Sequence, residues 1–344
     1  MPFRANIDFC CLALNGPVFA PREAQIVLPD LQVSNSTEQI DLDFWAEWLG
    51  TLQTDAFRNS SLVITAERDG RALLDAGANY EARQKIERRV RLFHFALVLM
   101  GCGYNSSALM VGGNTAGGHL HLGPISVGLT PCHRPHYRRA KRISARDLER
   151  AATMLISLEH VYDQVPGPNY RRIRKGFNSW IQGVESEDPA QALHSFVRAA
   201  EAIVRPTTTT WTGRRITKTF CSRGQTFTGR STRNRRLLEQ FYDLRSCIEH
   251  IKNIEPALHK PRNVSRDEAF AFRALQAEIF ASAIYFRIFT NQALREQLRT
   301  ETLVEGFWRR HEASRRRLWG RSIDLAATAR REFLTARIDP ADVI

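Results

Sequence analysis

Long apolar runs are missing from this chain. The longest, Leu92 to Cys102 with His94 inside it, falls well short of the roughly 20 residues needed to cross a bilayer, so no membrane span is expected. The amino terminus begins Met1-Pro2-Phe3-Arg4 and carries Asp8 within its short apolar stretch. It lacks the basic and then apolar order of a secretory signal, and a cytoplasmic protein is expected. A disulfide framework is missing as well. Six cysteines, at positions 10, 11, 102, 132, 221 and 247, are scattered without paired spacing, which reads as reduced thiols used for packing. There is no G-x-G-x-x-G, no phosphate loop ending in GK[ST] and no G-x-S-x-G. The marked dinucleotide, nucleoside triphosphate and hydrolase sites are thereby excluded, and the glycines between Gly112 and Gly118 read as a turn. Internal repeats and low-complexity tails are also lacking.

Lysine is scarce, with 6 Lys against 43 Arg. The net charge of +13 and isoelectric point near 10.0 are therefore carried by guanidinium groups, and a strongly basic protein is drawn to polyanions. Nucleic acid is the expected partner; the alternative is charge that is only solvated. With 344 residues and 43% hydrophobic composition, the chain can bury more than one core.

The expected fold class is α+β, a mixed α/β domain over residues 1–162 followed by an all-α bundle over 165–300 and a helical extension over 301–344. Strands are expected at Ile7 to Leu14 and Gln25 to Leu28, and at Ser61 to Thr65, the last dominated by β-branched residues. Phe44, Trp45, Trp48, Leu49 and Leu52 read as one face of a short helix, and Tyr80 to Met100 as a longer one. Alternation around His119 to Leu122 and Ile125 to Leu129 suggests a strand or hairpin. In the second half, Ser144 caps a helix to about Tyr162, and another runs from Asn169 to about Val184. The next opens at Asp188 with Pro189 in its first turn. A loop is read from Pro206 to Ser231, then a helix from about Arg233 to Ile254 stopped by Pro256. Ser265 and Glu268 have the spacing of a capping box at the head of a long helix. One or two amphipathic helices are expected after Thr300.

Two constellations have chemical potential. His119, His121, Cys132, His133 and His136 carry donor atoms that zinc prefers, but no spacing matches a common zinc motif, so neither metal nor other cofactor is expected. The second lies in Phe241-Tyr-Asp-Leu-Arg-Ser-Cys-Ile-Glu-His250, where Arg245 stands five residues before His250. A near-neutral imidazole can take the proton of a ribose 2′-hydroxyl or give one to a leaving 5′-oxygen. An arginine can hold the phosphate and stabilise the charge that builds on it. Spacing alone is weak, because Arg89 and His94 repeat it in a segment with no catalytic reading. On one ideal helix, positions i and i+5 sit about 140° apart, so convergence needs a helix break or a second copy.

The context of Arg245 and His250 resembles the HEPN family, in particular the group found as C-terminal domains of bacterial defence proteins. Leu193 to Ile203 is similar to the family's early helix, with acidic Glu201 facing the motif helix. A variable loop, the lead-in Tyr242-Asp-Leu, the R-x4-H motif and a long apolar helix follow. The resemblance covers residues 165–300. It implies a metal-independent endoribonuclease in phage defence or toxin-like RNA cleavage, with Arg245, His250, Ser246 and Glu201 as site residues and a cleft between two protomers of a homodimer. Ser246 departs from the Asn, Asp or His more usual after the arginine. The alternative is a non-catalytic RNA-binding or dimerisation protein. Independently of the resemblance, residues 205–236 hold nine basic and no acidic residues. Arg214, Arg215 and Arg223 could contact phosphates there, while Trp211, Phe220 and Phe227 stack bases; the alternative tucks these rings onto the core.

Overall fold

A nine-residue central strand, Ile7–Asn15 (β1), is buried from end to end of its apolar run, because it is hydrogen-bonded on both edges and covered on both faces. The structure, a computed structural model, describes residues 7–16, 18–19, 25–35, 37, 42–69, 76–104, 107–115, 121–124, 141–165, 167–206, 213–260 and 264–333. After β1 come Val18–Phe19 (β2), Gln25–Leu28 (β3), Leu31–Ser34 (β4), Leu42–Leu49 (α1), Thr51–Arg58 (α2), Leu62–Asp69 (β5) and Ala76–Leu99 (α3). Ser107–Asn114 (β6), His121–Pro124 (β7), Arg142–Ile143 (β8) and Ala145–Tyr162 (α4) complete this half. The main sheet has the order β3-β4-β5-β1-β6-β7 with every pairing antiparallel, while β2 and β8 form a small parallel pair. The class is α+β, as composition and pattern suggested.

Alternation along β1 assigns its two faces. Phe9, Cys11 and Ala13 pack with Trp45, Leu49 and Phe57 of the two short helices, and Cys10 faces Glu87 and Arg91 of α3. The five residues Phe44 to Leu52 do not share one helix face. Trp45 and Leu49 point inward with Leu42, whereas Phe44, Trp48 and Leu52 point outward. Two i,i+4 stripes lie side by side here, and Gly50, at φ +76°, ends α1 before Leu52 can join it. Gly112 and Gly113, expected in a turn, lie in β6 paired with β1, because the ladder needs backbone groups, not side chains. Gly117, Gly118 and residues 125–129 lie outside the described residues.

The second half consists of Arg171–Glu185 (α5), Pro189–Val204 (α6), Gly213–Thr228 (α7), Thr232–Glu249 (α8), Arg266–Thr290 (α9), Gln292–Gln297 (α10), Glu301–Arg309 (α11), Glu312–Trp319 (α12) and Leu325–Glu332 (α13). The chain separates into two units, Met1–Arg134 with Ala140–Glu159, and Pro135–Arg139 with His160–Ile344. Among the described residues, no helix is long and apolar enough to cross a membrane. The capping signals hold: Asp188 accepts from Ala190 and Gln191 N–H, and Ser265 and Glu268 form a full capping box.

Three differences from the sequence pattern stand out in the helical unit. Residues 213–228, read as loop, form α7; glycines and β-branched threonines obscure its apolar face, which carries Phe220 and Phe227, each 2% exposed. The motif helix α8 ends at Glu249, short of Ile254. Ile251 takes φ +51°, and Lys252 N–H bonds back to Cys247 C=O at 2.8 Å, a Schellman-type closure. Asn253 then accepts from Glu255 N–H at 3.1 Å, so a local turn claims the backbone before Pro256 can act. Among the described residues after Thr300 there are three helices, α11 to α13.

The bundle core is organised on α9. Trp180 of α5 donates to Ser282 at 2.9 Å, and Tyr285 donates to the Ala199 carbonyl of α6 at 2.8 Å. The α5–α6 hairpin closes tightly because α5 carries glycine at two one-face positions. A Cβ on Gly176 would sit 1.8 Å from the Tyr285 hydroxyl and 2.9 Å from the Ala199 carbonyl, and one on Gly183 would sit 2.6 Å from the Phe196 ring. Gly176→Ala is expected to destabilise the protein by about 2 to 3 kcal/mol, read as a lower urea midpoint; an unchanged midpoint would refute the close packing.

His94 of α3 is fully buried, with Nε2 bonded to the Gly103 carbonyl at 2.7 Å and Nδ1 without a hydrogen-bond partner among the described residues. Burial lowers its pKa from 6.5 to about 4, against the opposing effect of the Gly103 bond. Between those values the unfolded chain binds a proton that the native state rejects. The contribution is therefore intact above pH 6.5 and is lost as pH falls toward about 4, up to about 3 kcal/mol. Thermal melts across that interval should show the decline, and His94→Gln should flatten it; an identical slope in the variant would count against this.

Candidate functional site

α5, α6 and α8 each turn a polar stripe toward a common cleft. From α5 come Arg171, Arg172, Lys175 and Ser179, and from α6 come Arg198, Glu201, Ala202 and Arg205. These repeat at helical one-face spacing, opposite the faces that bury Ile173, Phe177 and Trp180 on α5 and Leu193, Phe196 and Ala200 on α6. Arg245 of α8, Glu301 of α11 and Pro206 complete a cleft of about 550 Å³. Its wall thus has six cationic and two anionic side chains, a composition suited to an anionic ligand. The first turn of α5 adds to this, because it has neither a side-chain cap nor an acidic residue to offset the positive end of its dipole.

Arg245 is the most enclosed cation of the cleft, with its side chain 11% exposed. One terminal nitrogen, Nη2, faces Glu201 Oε2 at 3.2 Å and Glu249 Oε1 at 3.3 Å, while Nη1 pairs with the other oxygen of Glu249. Below it, the guanidinium carbon stands 5.7 Å from the Tyr242 ring centre, a cation–π distance. Burial, then Glu201, raises the Tyr242 pKa, with Arg245 opposing. The two carboxylates are unequal. Glu201 is 8% exposed and comes from the facing helix, whereas Glu249 is 33% exposed and lies on Arg245's own helix. Glu201 therefore orients the guanidinium, and Glu249, the more exposed of the two, is the partner that costs least to displace.

His250 does not line the cleft with Arg245. It is the exposed C-cap of α8, with its N–H bonded to the Ser246 carbonyl at 3.1 Å. The angular separation of positions i and i+5 is thus retained within one chain. Ser246 is half-buried one residue beyond Arg245. The second R-x4-H pair is structural: Arg89 pairs with Asp30 at 3.0 Å and Glu159 at 2.8 Å, and His94 is sealed in the core.

Sequence reasoning missed His194. It stands four residues before Arg198 and seven before Glu201 on α6, a one-face spacing legible in the sequence. Its Nε2 is buried without a hydrogen-bond partner among the described residues. Burial lowers its pKa, reinforced by Arg245 and Arg198 and opposed by Glu249, so a neutral imidazole is favoured beside the motif arginine. Arg171, Arg172, Lys175, Arg198 and Arg205 were also not singled out, because they are distant in sequence and ordinary in type.

The basic segment before the motif is differently employed. Arg223 donates to the Val204 carbonyl at 3.0 Å, pairs with Glu305 at 3.4 Å and lies 5.0 Å from the Trp308 ring. Burial lowers its pKa against the pull of Glu305. Phe220 and Phe227 face the core, against Phe280 and the Tyr242 and Trp319 rings, which removes them as stacking platforms. The backbone of Arg214 and Arg215 lies in the first turn of α7, but their side chains, like all of Trp211, fall outside the described residues. His119, Cys132, His133 and His136 lie outside as well, as does the His121 side chain; among the described residues no group of three or more His, Cys, Asp or Glu is placed to hold a metal.

No family model, curated protein or solved structure matches the chain. The site's reading rests on its chemistry.

A double-mutant cycle measures the pairing at the centre of the cleft. Arg245→Gln leaves the Glu201 carboxylate enclosed and is expected to cost about 1 to 3 kcal/mol, most of which Glu201→Gln in the same chain should restore. Additive losses in urea unfolding would show that the two side chains are not coupled.

Proposed function

We propose that the helical unit is a metal-independent endoribonuclease of HEPN type that grips RNA phosphate with Arg245. The observation that carries this reading is the position of the motif arginine at the floor of a cleft whose wall is dominated by cations. In the reaction, the ribose 2′-oxygen attacks the adjacent phosphorus, the bond to the 5′-oxygen breaks, and a 2′,3′-cyclic phosphate forms. The 2′-hydroxyl gives up a proton and the leaving 5′-oxygen gains one. His250 is the proposed proton carrier; Arg245 neutralises the charge that gathers on the phosphate oxygens. Glu201 holds the arginine in place, and Ser246 supplies a hydroxyl next to it. The separation of Arg245 from His250 on one helix favours a composite site in which two copies of the chain contribute, so the reading includes a homodimer.

A second reading has its own support. Both terminal nitrogens of Arg245 are already engaged by carboxylates, as suits an RNA-binding or dimerisation element without catalysis.

Incubation of RNA with the full chain in EDTA separates the two. Cutting is expected, reduced by about a hundredfold or more in His250→Ala and in Arg245→Ala with the helical signal in circular dichroism intact. Cutting that persists in His250→Ala would remove that imidazole from the mechanism. Salt-sensitive RNA binding without any cutting by the wild type would leave only the second reading.

A further inference from the structure

Three cations of the cleft have no carboxylate partner among the described residues. Among the described residues, Arg172 pairs with Glu301, and Arg205 and Arg245 both reach Glu201. Arg171, Lys175 and Arg198 have no ion pair with any described residue, although all three line the same concavity. Arg171 and Lys175 are also i,i+4 neighbours on α5, an arrangement that in isolation is repulsive. Arg198 lines the same cleft from α6, four residues before Ala202. Three exposed cations brought together without counterions raise the local potential and favour an anion between them. Glu201 and Glu301 do not supply it, since Glu201 is committed to Arg205 and Arg245 and Glu301 to Arg172.

We infer that Arg171, Lys175 and Arg198 form a second phosphate subsite, which holds a backbone phosphate of the RNA strand flanking the one at Arg245. This rests on the RNA reading of the cleft and assigns the trio to binding alone. The strand's charge is then neutralised at two points, at the enclosed arginine and at the open trio, which fixes its register without touching the reacting atoms. No bond is made or broken at the trio.

The test uses the full chain and a short single-stranded oligonucleotide whose 2′-positions are O-methylated, so that binding is read without cleavage. Replacing Arg171, Lys175 and Arg198 by Gln is expected to weaken binding about tenfold or more at low salt. The slope of log affinity against log salt should become shallower by about 0.7, as for a single strand with one phosphate fewer neutralised. On cleavable RNA, KM should rise while kcat stays within about twofold. The single variant Lys175→Gln should show the same trend at smaller size, and Lys175→Arg should restore wild-type binding; these keep the test decisive if the triple variant folds poorly. Affinity and salt slope equal to wild type in the triple variant would overturn the subsite, as would a loss confined to kcat. The two proposals fail separately. A wild type that binds the methylated strand through the trio but cuts nothing in EDTA keeps the subsite and ends the nuclease reading. One that cuts RNA with a KM indifferent to the trio keeps the nuclease reading and ends the subsite.

Discussion

The closeness of α5 to α6 determines most of what the helical unit presents to solvent. Where Gly176 and Gly183 replace side chains with bare backbone, the two helices meet at a distance set by Phe196, Ala199 and Tyr285. Apolar residues of both then share one core with α9. Long cationic chains on the outer faces cannot enter that core and must splay over the seam. The cleft is therefore a by-product of packing: tight on the inner side, flared on the outer side, and lined by whatever charge the outer stripes carry.

That arrangement also accounts for the unequal roles of the arginines. Two kinds of guanidinium occur here. Arg89 and Arg223 are each tied to carboxylates, and Arg223 also to a backbone carbonyl and an indole face, so they act as braces. Others, led by Arg171 and Arg198, line a concave surface without an ion pair to any described residue. A composition dominated by arginine serves both purposes, because the fork geometry braces as well as it grips. The excess of positive charge is therefore not a uniform coat.

Legibility from the sequence follows the strength of the local signal. β1, β3 and β5, the caps at Ser144, Asp188 and Ser265, and the α+β class are all readable, because short apolar runs and capping side chains act within a few residues. α7 is not, since its glycines and threonines have weak helix propensity and the helix is held by Phe220 and Phe227 packing onto distant partners. The end of α8 is hidden for a similar reason: Pro256 is the visible stop, but the Asn253 turn and the left-handed Ile251 act first. At the site, Glu201 stands 3.2 Å from Arg245, a pairing that an ordinary ion pair within the fold explains as well as the resemblance does. The cations of α5 become meaningful only when the bundle brings them beside α6.

Tyr170 prepares the cleft from outside it. It precedes the cationic first turn of α5 with a left-handed backbone at φ +58°, and its hydroxyl sits between His160 at 3.2 Å and Glu296 at 2.5 Å. Its N–H reaches the Arg299 carbonyl at 2.6 Å, while Arg174 gathers the carbonyls of Val161, Gly167 and Asn169. The entry to α5 is thus clamped from several directions before any ligand arrives. Backbone ordering there has been completed during folding, so an anion meeting Arg171 and Arg172 has only their side chains left to immobilise.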